Sequence, residues 1–183
     1  MGKKQVNITS YISNHDGEKG FLTSKTLEYM SIKDLEAKKA AAETLACGDY
    51  MYLPGYIDIK INEHTILGEE DWSDDIVSQW ESICDFVVKR KENDPQEIFI
   101  FGHQHNYYLE LTNNLVQVKV NRDYIRSGME IFTHYKDIPY VEFKEAVIEA
   151  ADEFYSLCKD LPFGDEANFE SFVETYRLLG NQG

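Results

Sequence analysis

A pair of alternating segments joined by a very short polar link constrains the fold more than any other feature of this sequence. Residues 107–111 and 115–120 are rich in aromatic and β-branched side chains, as strands are. The link contains Asn113 and Asn114, which tolerate the positive φ of a tight hairpin. In the second segment valines alternate with polar residues. The pattern predicts antiparallel strands in a sheet with one covered face and one solvated face.

Other segments switch between the periods of strands and helices. Residues 57–61 alternate isoleucine with a charged residue, which predicts a strand with one solvated face. Ser31 and Asp34 resemble a capping box and predict the start of an alanine-rich helix that ends at Gly48. The remaining predicted elements are a helix over 76–87, strands over 97–101 and 130–135, and helices over 141–161 and 169–180.

The resulting order, αβαββ(β)αα, predicts an α+β fold. We expect a two-layer sandwich in which helices pack on a mostly antiparallel sheet of four to five strands. The chain has 183 residues, enough for one well-buried domain but few for two. Residues 1–50 carry no net charge and are predicted to form a helical N-terminal extension packed on an α+β body of residues 51–183.

The net charge of −15 arises entirely after Tyr50, with −8 in residues 51–140 and −7 in residues 141–183. So negative a surface repels nucleic-acid phosphates and anionic lipids. We therefore expect no direct binding to nucleic acid or to a membrane. A basic protein is the partner that this charge favours.

Cysteine usage and hydropathy indicate the compartment. Cys47, Cys84 and Cys158 form no C-x-x-C pair and lie among apolar residues at helical spacing, which is typical of free thiols in a reducing environment. The sequence contains no run of signal-peptide length and no stretch near the ~20 apolar residues of a membrane span. We expect a cytoplasmic, untargeted protein.

Two histidines at spacing two form the most suggestive local motif. On a strand, His103 and His105 would face the same side and could share a metal ion. Together with Glu110 they are similar to the first motif of the cupin family, a resemblance that implies metal ligation by these three side chains. Glu97 and Gln117 stand where cupins carry glycine, and the second cupin motif is missing. The sequence therefore predicts no metal and no cofactor, with a metal-dependent enzyme using His103 and His105 as an alternative.

Acidic residues are concentrated before the helix predicted over residues 76–87. Carboxylates at a helix N-terminus are stabilised by its unpaired backbone N–H groups, so the cluster has a structural cause, although it could also bind Mg²⁺. Trp72 is predicted to be half exposed and Trp80 to be buried. We assign the run to a partner interface consisting of Glu69, Glu70, Asp71, Trp72, Asp74 and Asp75.

A second acidic set follows one face of the helix predicted over residues 141–161. The set, called the acidic ridge below, consists of Glu142, Glu145, Glu149 and Asp152. Like charges at this spacing destabilise a helix by a few tenths of a kcal/mol per pair. A solvated face requires charge but not charge of one sign, so the ridge is either a solubilising surface or a second part of the partner interface.

No catalytic signature accompanies these features: the sequence has neither a G-x-S-x-G elbow nor a glycine-rich phosphate loop. We therefore predict no catalytic residues. The body over residues 55–161 resembles the small acidic immunity proteins of bacterial polymorphic and contact-dependent toxin systems. The resemblance lies in the strand 57–62, the helix with Trp72, Asp75, Ile76 and Trp80, the aromatic strands, and the closing helix 143–161.

The resemblance to immunity proteins implies a non-enzymatic inhibitor. Such a protein would neutralise one cognate toxin, often a nuclease, by covering its basic active site. The alternative is a viral or regulatory protein that mimics nucleic acid, which would also be acidic. A mimic would bind several basic proteins, whereas an immunity protein binds one.

Overall fold

Antiparallel pairing of an N-terminal strand with a strand formed after residue 54 creates the first of two four-stranded sheets. The structure is a computed structural model that describes residues 6–102, 105–124 and 129–181. The strand order in this N-terminal sheet is β4-β1-β5-β6. Its strands are β1 Val6–Ser13, β4 Tyr29–Ser31, β5 Gly55–Ile61 and β6 His64–Leu67. Between β1 and β4, the short strands β2 His15–Asp16 and β3 Gly20–Phe21 form a separate pair.

The C-terminal sheet is a meander of four strands in the order β10-β9-β8-β7. Its strands are β7 Gln96–Ile98, β8 His105–Thr112, β9 Leu115–Tyr124 and β10 Met129–Pro139. The predicted hairpin is confirmed: Thr112 pairs with Leu115, and Asn113 and Asn114 have φ of 53° and 60°. The alternation is also confirmed, because Val118 is fully buried and Lys119 is exposed.

In the described part of the chain, four α-helices pack with these sheets. They are α1 Ala37–Cys47, α2 Ile76–Lys89, α3 Tyr140–Cys158 and α4 Phe169–Gly180, and a short 3-10 helix, Glu69–Asp71, precedes α2. The α+β class is therefore confirmed, with the strands divided between two four-stranded sheets and the β2-β3 pair rather than gathered in one sheet of four to five strands. One continuous buried cluster connects the helices with both large sheets.

The helix α3 follows β10 without a connecting loop. The Tyr140 N–H donates a hydrogen bond to the Asn114 carbonyl at 2.9 Å, so the first residue of the helix is fixed to the tight turn of the hairpin. The Tyr140 hydroxyl donates to the Val87 carbonyl of α2, also at 2.9 Å. These bonds hold the start of α3 against both the C-terminal sheet and α2.

The N-terminal region differs from the predicted helical extension. Residues 6–13 form β1, which pairs with β5 from Val6 opposite Ile61 to Ile12 opposite Gly55. The first strand is therefore an interior strand of the sheet. The predicted capping box is wrong in position, because Asp34 accepts from the Glu36 N–H at 3.0 Å in the turn before α1, and α1 begins only at Ala37.

The strand β5 was expected to have one solvated face, and this expectation is wrong for Asp58. Asp58 is only 9% exposed and forms an ion pair with Lys60 at 2.9 Å. Both faces of β5 are covered because helices pack on one face and β6 leads into the 3-10 helix beside the other. Asp58 is thus accommodated by pairing with Lys60, whose own side chain remains 44% exposed.

The two faces of the N-terminal sheet have different chemistry. On the helix face, the Ser10 hydroxyl accepts a hydrogen bond of 2.8 Å from the Trp80 indole N–H of α2. On the opposite face, called the tyrosine face below, Tyr11 stacks on Tyr56 at 4.6 Å and Tyr29 packs edge-on against Tyr56 at 5.1 Å. The candidate site lies beside these tyrosines.

Candidate partner interface

The acidic run before α2 divides into exposed and buried carboxylates. Glu69, Glu70 and Asp74 are exposed, whereas Asp71 and Asp75 are almost fully buried. Asp71 closes the 3-10 helix by accepting from the Gly68 N–H at 3.1 Å. The exposed members of the run are available to a partner, and the buried members shape the surface that presents them.

Asp75 is the N-cap of α2. Its carboxylate accepts from the Val77 N–H at 3.2 Å, the Ser78 N–H at 3.3 Å and the Ser78 hydroxyl at 2.6 Å. It also accepts from the Leu53 N–H at 3.4 Å, which fixes the segment before β5 to the helix. The structural explanation for a carboxylate at this position is confirmed, and the buried Asp75 is not part of an exposed interface.

Burial of Asp75 predicts an unusual pH dependence. Burial raises the pKa of Asp75 above its ordinary 3.8, although the hydrogen bonds from Ser78, Leu53 and Val77 oppose the shift. The folded state then binds the proton more tightly than the unfolded state, so the contribution of Asp75 to stability falls as pH rises from about 3.8 to the folded pKa. Asp75→Asn removes this dependence. We expect the stability advantage of the wild type over the variant to shrink with rising pH, measured by denaturant unfolding in dilute solution from pH 4 to pH 7. An advantage that grew with pH would show that the hydrogen bonds outweigh burial.

An open cleft of about 750 Å³ lies between the 3-10 helix and the start of β4. Among the described residues that line it, every charged side chain is acidic. We call it the acidic cleft; its main lining residues are Glu28, Tyr29, Glu69, Glu70, Asp71 and Trp72. Trp72 is half-buried, as predicted, so part of its ring is available in the cleft. Carboxylates beside aromatic faces suit an Arg or Lys side chain, through ion pairing and cation–π contact.

The carboxylates act on the neighbouring tyrosines. Burial raises the pKa of Tyr29, and the charges of Glu28, Glu69 and Asp74 raise it further. Burial also raises the pKa of Tyr56, with contributions from Tyr11 and Glu69. The tyrosines therefore stay neutral at physiological pH, and the negative potential of the cleft comes from the acids alone.

A second cleft of about 510 Å³ lies at the adjoining end of the N-terminal sheet. It is lined by residues of the β2-β3 region, of the end of α1 and of the loop after β7. We call it the aromatic cleft; its main lining residues are His15, Leu22, Cys47, Tyr52, Asp74 and Phe101. Tyr52 is 49% exposed and Phe101 is 45% exposed. Exposed aromatic side chains around a concave surface are typical of protein interaction sites.

The acidic ridge lies on the other side of the N-terminal sheet, because α3 packs on its helix face. Glu145, Glu149 and Asp152 are exposed and Glu142 is half-buried, so the expected common face is present. Asp152, however, accepts a hydrogen bond of 2.7 Å from the Tyr176 hydroxyl and thereby joins α3 to α4. The structure does not bring the ridge together with the acidic cleft, and its role as a partner surface stays a prediction.

The histidine motif falls largely outside the described residues. His103, Gln104 and the His105 side chain are not described, while the backbone of His105 begins β8 and Glu110 lies within that strand, opposite Gln117. In the part of the chain that the structure describes, no group of three His, Cys, Asp or Glu side chains could hold a metal ion. The cupin-like expectation is thus not tested.

The three cysteines are unpaired and occupy different environments. Cys47 is exposed, whereas Cys84 and Cys158 are buried. Burial raises the pKa of Cys84 to about 12 and also raises that of Cys158. Only Cys47 is therefore accessible to thiol reagents in the folded protein.

Several site residues were not found by sequence reasoning. Glu28 and Tyr29 belong to the region that was expected to be helical, and they reach the acidic cleft because β4 pairs with β1. Tyr52 and Phe101 were passed over as parts of a loop and of a strand. The available signal was Gly102 directly after the predicted strand 97–101, because a glycine at that place indicates a turn.

Comparison of the chain with protein-family models, with curated proteins and with solved structures returns no match. None of the helices in the described ranges is both long enough and apolar enough to cross a membrane.

Proposed function

We propose that this protein is a non-enzymatic binding protein that neutralises a basic protein partner, as an immunity protein neutralises its cognate toxin. The observation that carries the proposal is the acidic cleft, where Glu28, Glu69 and Glu70 surround a concave surface with aromatic walls. The net charge of −15 would steer a basic partner toward such a surface. A nuclease is the toxin class that this chemistry favours, because a nuclease must present a basic groove to bind nucleic acid.

The cleft supports binding rather than chemistry. Asp71 already accepts a backbone hydrogen bond, whereas the exposed acids of the cleft face its open space. Arg and Lys side chains are the groups that pair with carboxylates and also lie over aromatic rings. Tyr29 and Trp72 supply such rings in the lining of the acidic cleft. A partner loop carrying one or two basic residues fits this arrangement.

We expect reversal of charge in the acidic cleft to slow association with the partner. Glu69→Lys combined with Glu70→Lys replaces two exposed acids without touching the buried core. The partner is obtained by affinity capture from the source cell with the wild-type protein and identified by mass spectrometry. Association is then measured at low and high salt, where the Debye length falls from ~10 Å to ~3 Å. The double variant should associate about tenfold more slowly at low salt, with a flatter dependence on salt.

The acidic ridge provides a matched control for total charge. Glu145→Lys combined with Glu149→Lys makes the same change in net charge on α3, at two exposed positions. If the acidic cleft is the interface, this control associates nearly as fast as the wild type. Equal slowing by both double variants would mean that overall charge, or an interface that includes the acidic ridge, governs binding rather than the acidic cleft alone. Unchanged association of both variants would mean that neither acidic surface takes part in binding.

The captured proteins also separate the proposed function from its alternatives. One abundant basic partner whose activity is blocked at a one-to-one ratio supports a cognate inhibitor. Capture of many unrelated nucleic-acid-binding proteins supports a nucleic-acid mimic instead. About one transition metal per chain, lost in His103→Ala with His105→Ala, would replace the proposal with a metal-dependent enzyme.

A further inference from the structure

A hydrogen-bonded segment connects the aromatic cleft to the acidic cleft. The Phe101 N–H donates to the Ser73 hydroxyl at 3.0 Å, and the Phe101 carbonyl accepts from the Asp74 N–H at 3.0 Å. Residues 73–74 directly follow Trp72 of the acidic cleft, so the loop that carries Phe101 is attached to the chain that forms the neighbouring cleft. These two hydrogen bonds therefore fix the position of one cleft relative to the other.

Gly102 allows this close attachment. Its φ is +87°, in the left-handed region that favours glycine, and a Cβ at this position would lie 2.4 Å from a carboxylate oxygen of Asp74. The loop can therefore turn directly over Asp74. As a result the Asp74 carboxylate lies at the border, lining the aromatic cleft and acting electrostatically on Tyr29 of the acidic cleft.

The lining of the aromatic cleft favours an apolar occupant. Leu22, Tyr52 and Phe101 give it apolar walls. Lys19 lies beside Cys47, and hydrogen bonding to the Cys47 sulfur raises the pKa of its ammonium group. Lys19 also acts electrostatically on Asp16, a carboxylate in the lining of the aromatic cleft, so a second cation is better placed in the acidic cleft, where no described lining residue is basic.

We propose that the aromatic cleft receives an aliphatic or aromatic side chain from the same partner segment whose basic residue enters the acidic cleft. This inference rests on the proposed function and specifies its partner: a protein segment in which an apolar residue lies close to Lys or Arg. Asp74 pairs with basic groups as they cross the border between the clefts. The apolar anchor supplies affinity, while the charges supply steering and register.

Two residues of the protein report separately on the two clefts. Trp72 lines the acidic cleft, and because Trp80 is fully buried, a change in tryptophan fluorescence on ligand addition reports on Trp72. Cys47 lines the aromatic cleft and is the exposed cysteine, so its rate of modification by N-ethylmaleimide reports on occupancy there. The full-length protein therefore serves as its own sensor without added labels.

The test compares two synthetic peptides of equal charge, Gly-Lys-Arg-Phe-Lys-Gly and Gly-Lys-Arg-Ser-Lys-Gly. Both should change the Trp72 fluorescence, because both carry basic residues. The phenylalanine peptide should bind about tenfold more tightly, since binding in the aromatic cleft removes the apolar surface of its ring from water. At saturation it should slow modification of Cys47 at least tenfold, and the serine peptide should leave that rate nearly unchanged.

A matched pair of variants locates the occupant. Tyr52→Asn removes a wall of the aromatic cleft, whereas Tyr50→Asn changes an equally exposed tyrosine that does not line either cleft. Asn is used at both positions because Tyr50 has a φ of 64°, which Asn tolerates. Protection of Cys47 by the phenylalanine peptide should be lost in Tyr52→Asn and retained in Tyr50→Asn.

The outcomes distinguish failure of this inference from failure of the proposed function. If both peptides change the Trp72 fluorescence equally and Cys47 stays reactive, the aromatic cleft is not an anchor site and the proposed function stands. If neither peptide affects Trp72, even at millimolar concentration, the acidic cleft does not bind basic segments and the proposed function fails. Protection of Cys47 that persists in Tyr52→Asn overturns the inference, because the peptide then lies elsewhere.

Discussion

Val118→Asp is expected to lower the free energy of unfolding by about 4 kcal/mol or more, because it places an unpaired carboxylate in the core. Val118 is fully buried in β9 between Leu109 of β8 and Tyr135 of β10. Denaturant titration followed by circular dichroism measures the loss. The variant should regain part of its stability at low pH, where the new carboxyl group is protonated.

Lys119→Asp is the matched control for that substitution. It introduces the same side chain one residue further along β9, where the strand faces solvent. We expect a loss below about 1 kcal/mol, in the range usual for surface substitutions. Equal losses in the two variants would show that the facing of β9 in this structure is wrong.

Trp80→Ala is expected to cost about 3–5 kcal/mol of stability, the usual range for removal of a large buried aromatic side chain. The Trp80 ring is fully buried and stacks on Phe154 of α3 at 5.9 Å. Its indole N–H is also bonded to Ser10 of β1. The ring thus joins α2 to α3 and to the N-terminal sheet, and its removal weakens both contacts.

Trp80→Phe separates the contribution of the aromatic ring to stability from that of its hydrogen bond. Trp80→Phe keeps most of the ring but leaves the buried Ser10 hydroxyl without its donor, which should cost about 1–3 kcal/mol.

Trp72→Ala removes a half-buried ring from the acidic cleft and should cost less than Trp80→Phe. If Trp72→Ala were as destabilising as Trp80→Ala, Trp72 would be a core residue rather than part of a binding surface.

The elements predicted well from sequence are those whose pattern is complete within a short window. The hairpin of β8 and β9 carries both its alternation and its Asn113-Asn114 turn within 20 residues. The helix α2 likewise carries its apolar face and its Asp75 cap locally. In such segments local propensity and tertiary environment favour the same structure, so periodicity alone is sufficient.

The elements that were missed depend on partners distant in sequence. In β1 the alternation of Ile8 and Ile12 is interrupted at the buried position of Ser10, and the Trp80 indole, 70 residues away, satisfies that hydroxyl. The buried Asp58 of β5 is explained in the same way by Lys60, once both faces of the strand are covered. In a sequence, a polar residue at a buried position has the same pattern as a polar residue at a solvated position, because the pattern does not show its hydrogen-bond or ion-pair partner.

The candidate site was predictable only in its acidic half. Glu69, Glu70 and Asp74 were identified because charge density is visible in the sequence. The aromatic half was not, because it combines residues from β2, α1, and the loops before β5 and after β7. A cleft assembled from four separate segments leaves no spacing pattern that a single sequence can show.

The interior position of β1 affects how the chain can fold during synthesis. Val6 pairs with Ile61, so the first strand leaves the ribosome without its main partner. At 5–20 residues per second, the delay before residue 61 is made is roughly 3 to 11 seconds. During that interval β1 is an unpaired strand with apolar residues on one face, which other nascent chains could pair with. Until β5 emerges, β4 is the neighbouring strand of this sheet with which β1 can pair.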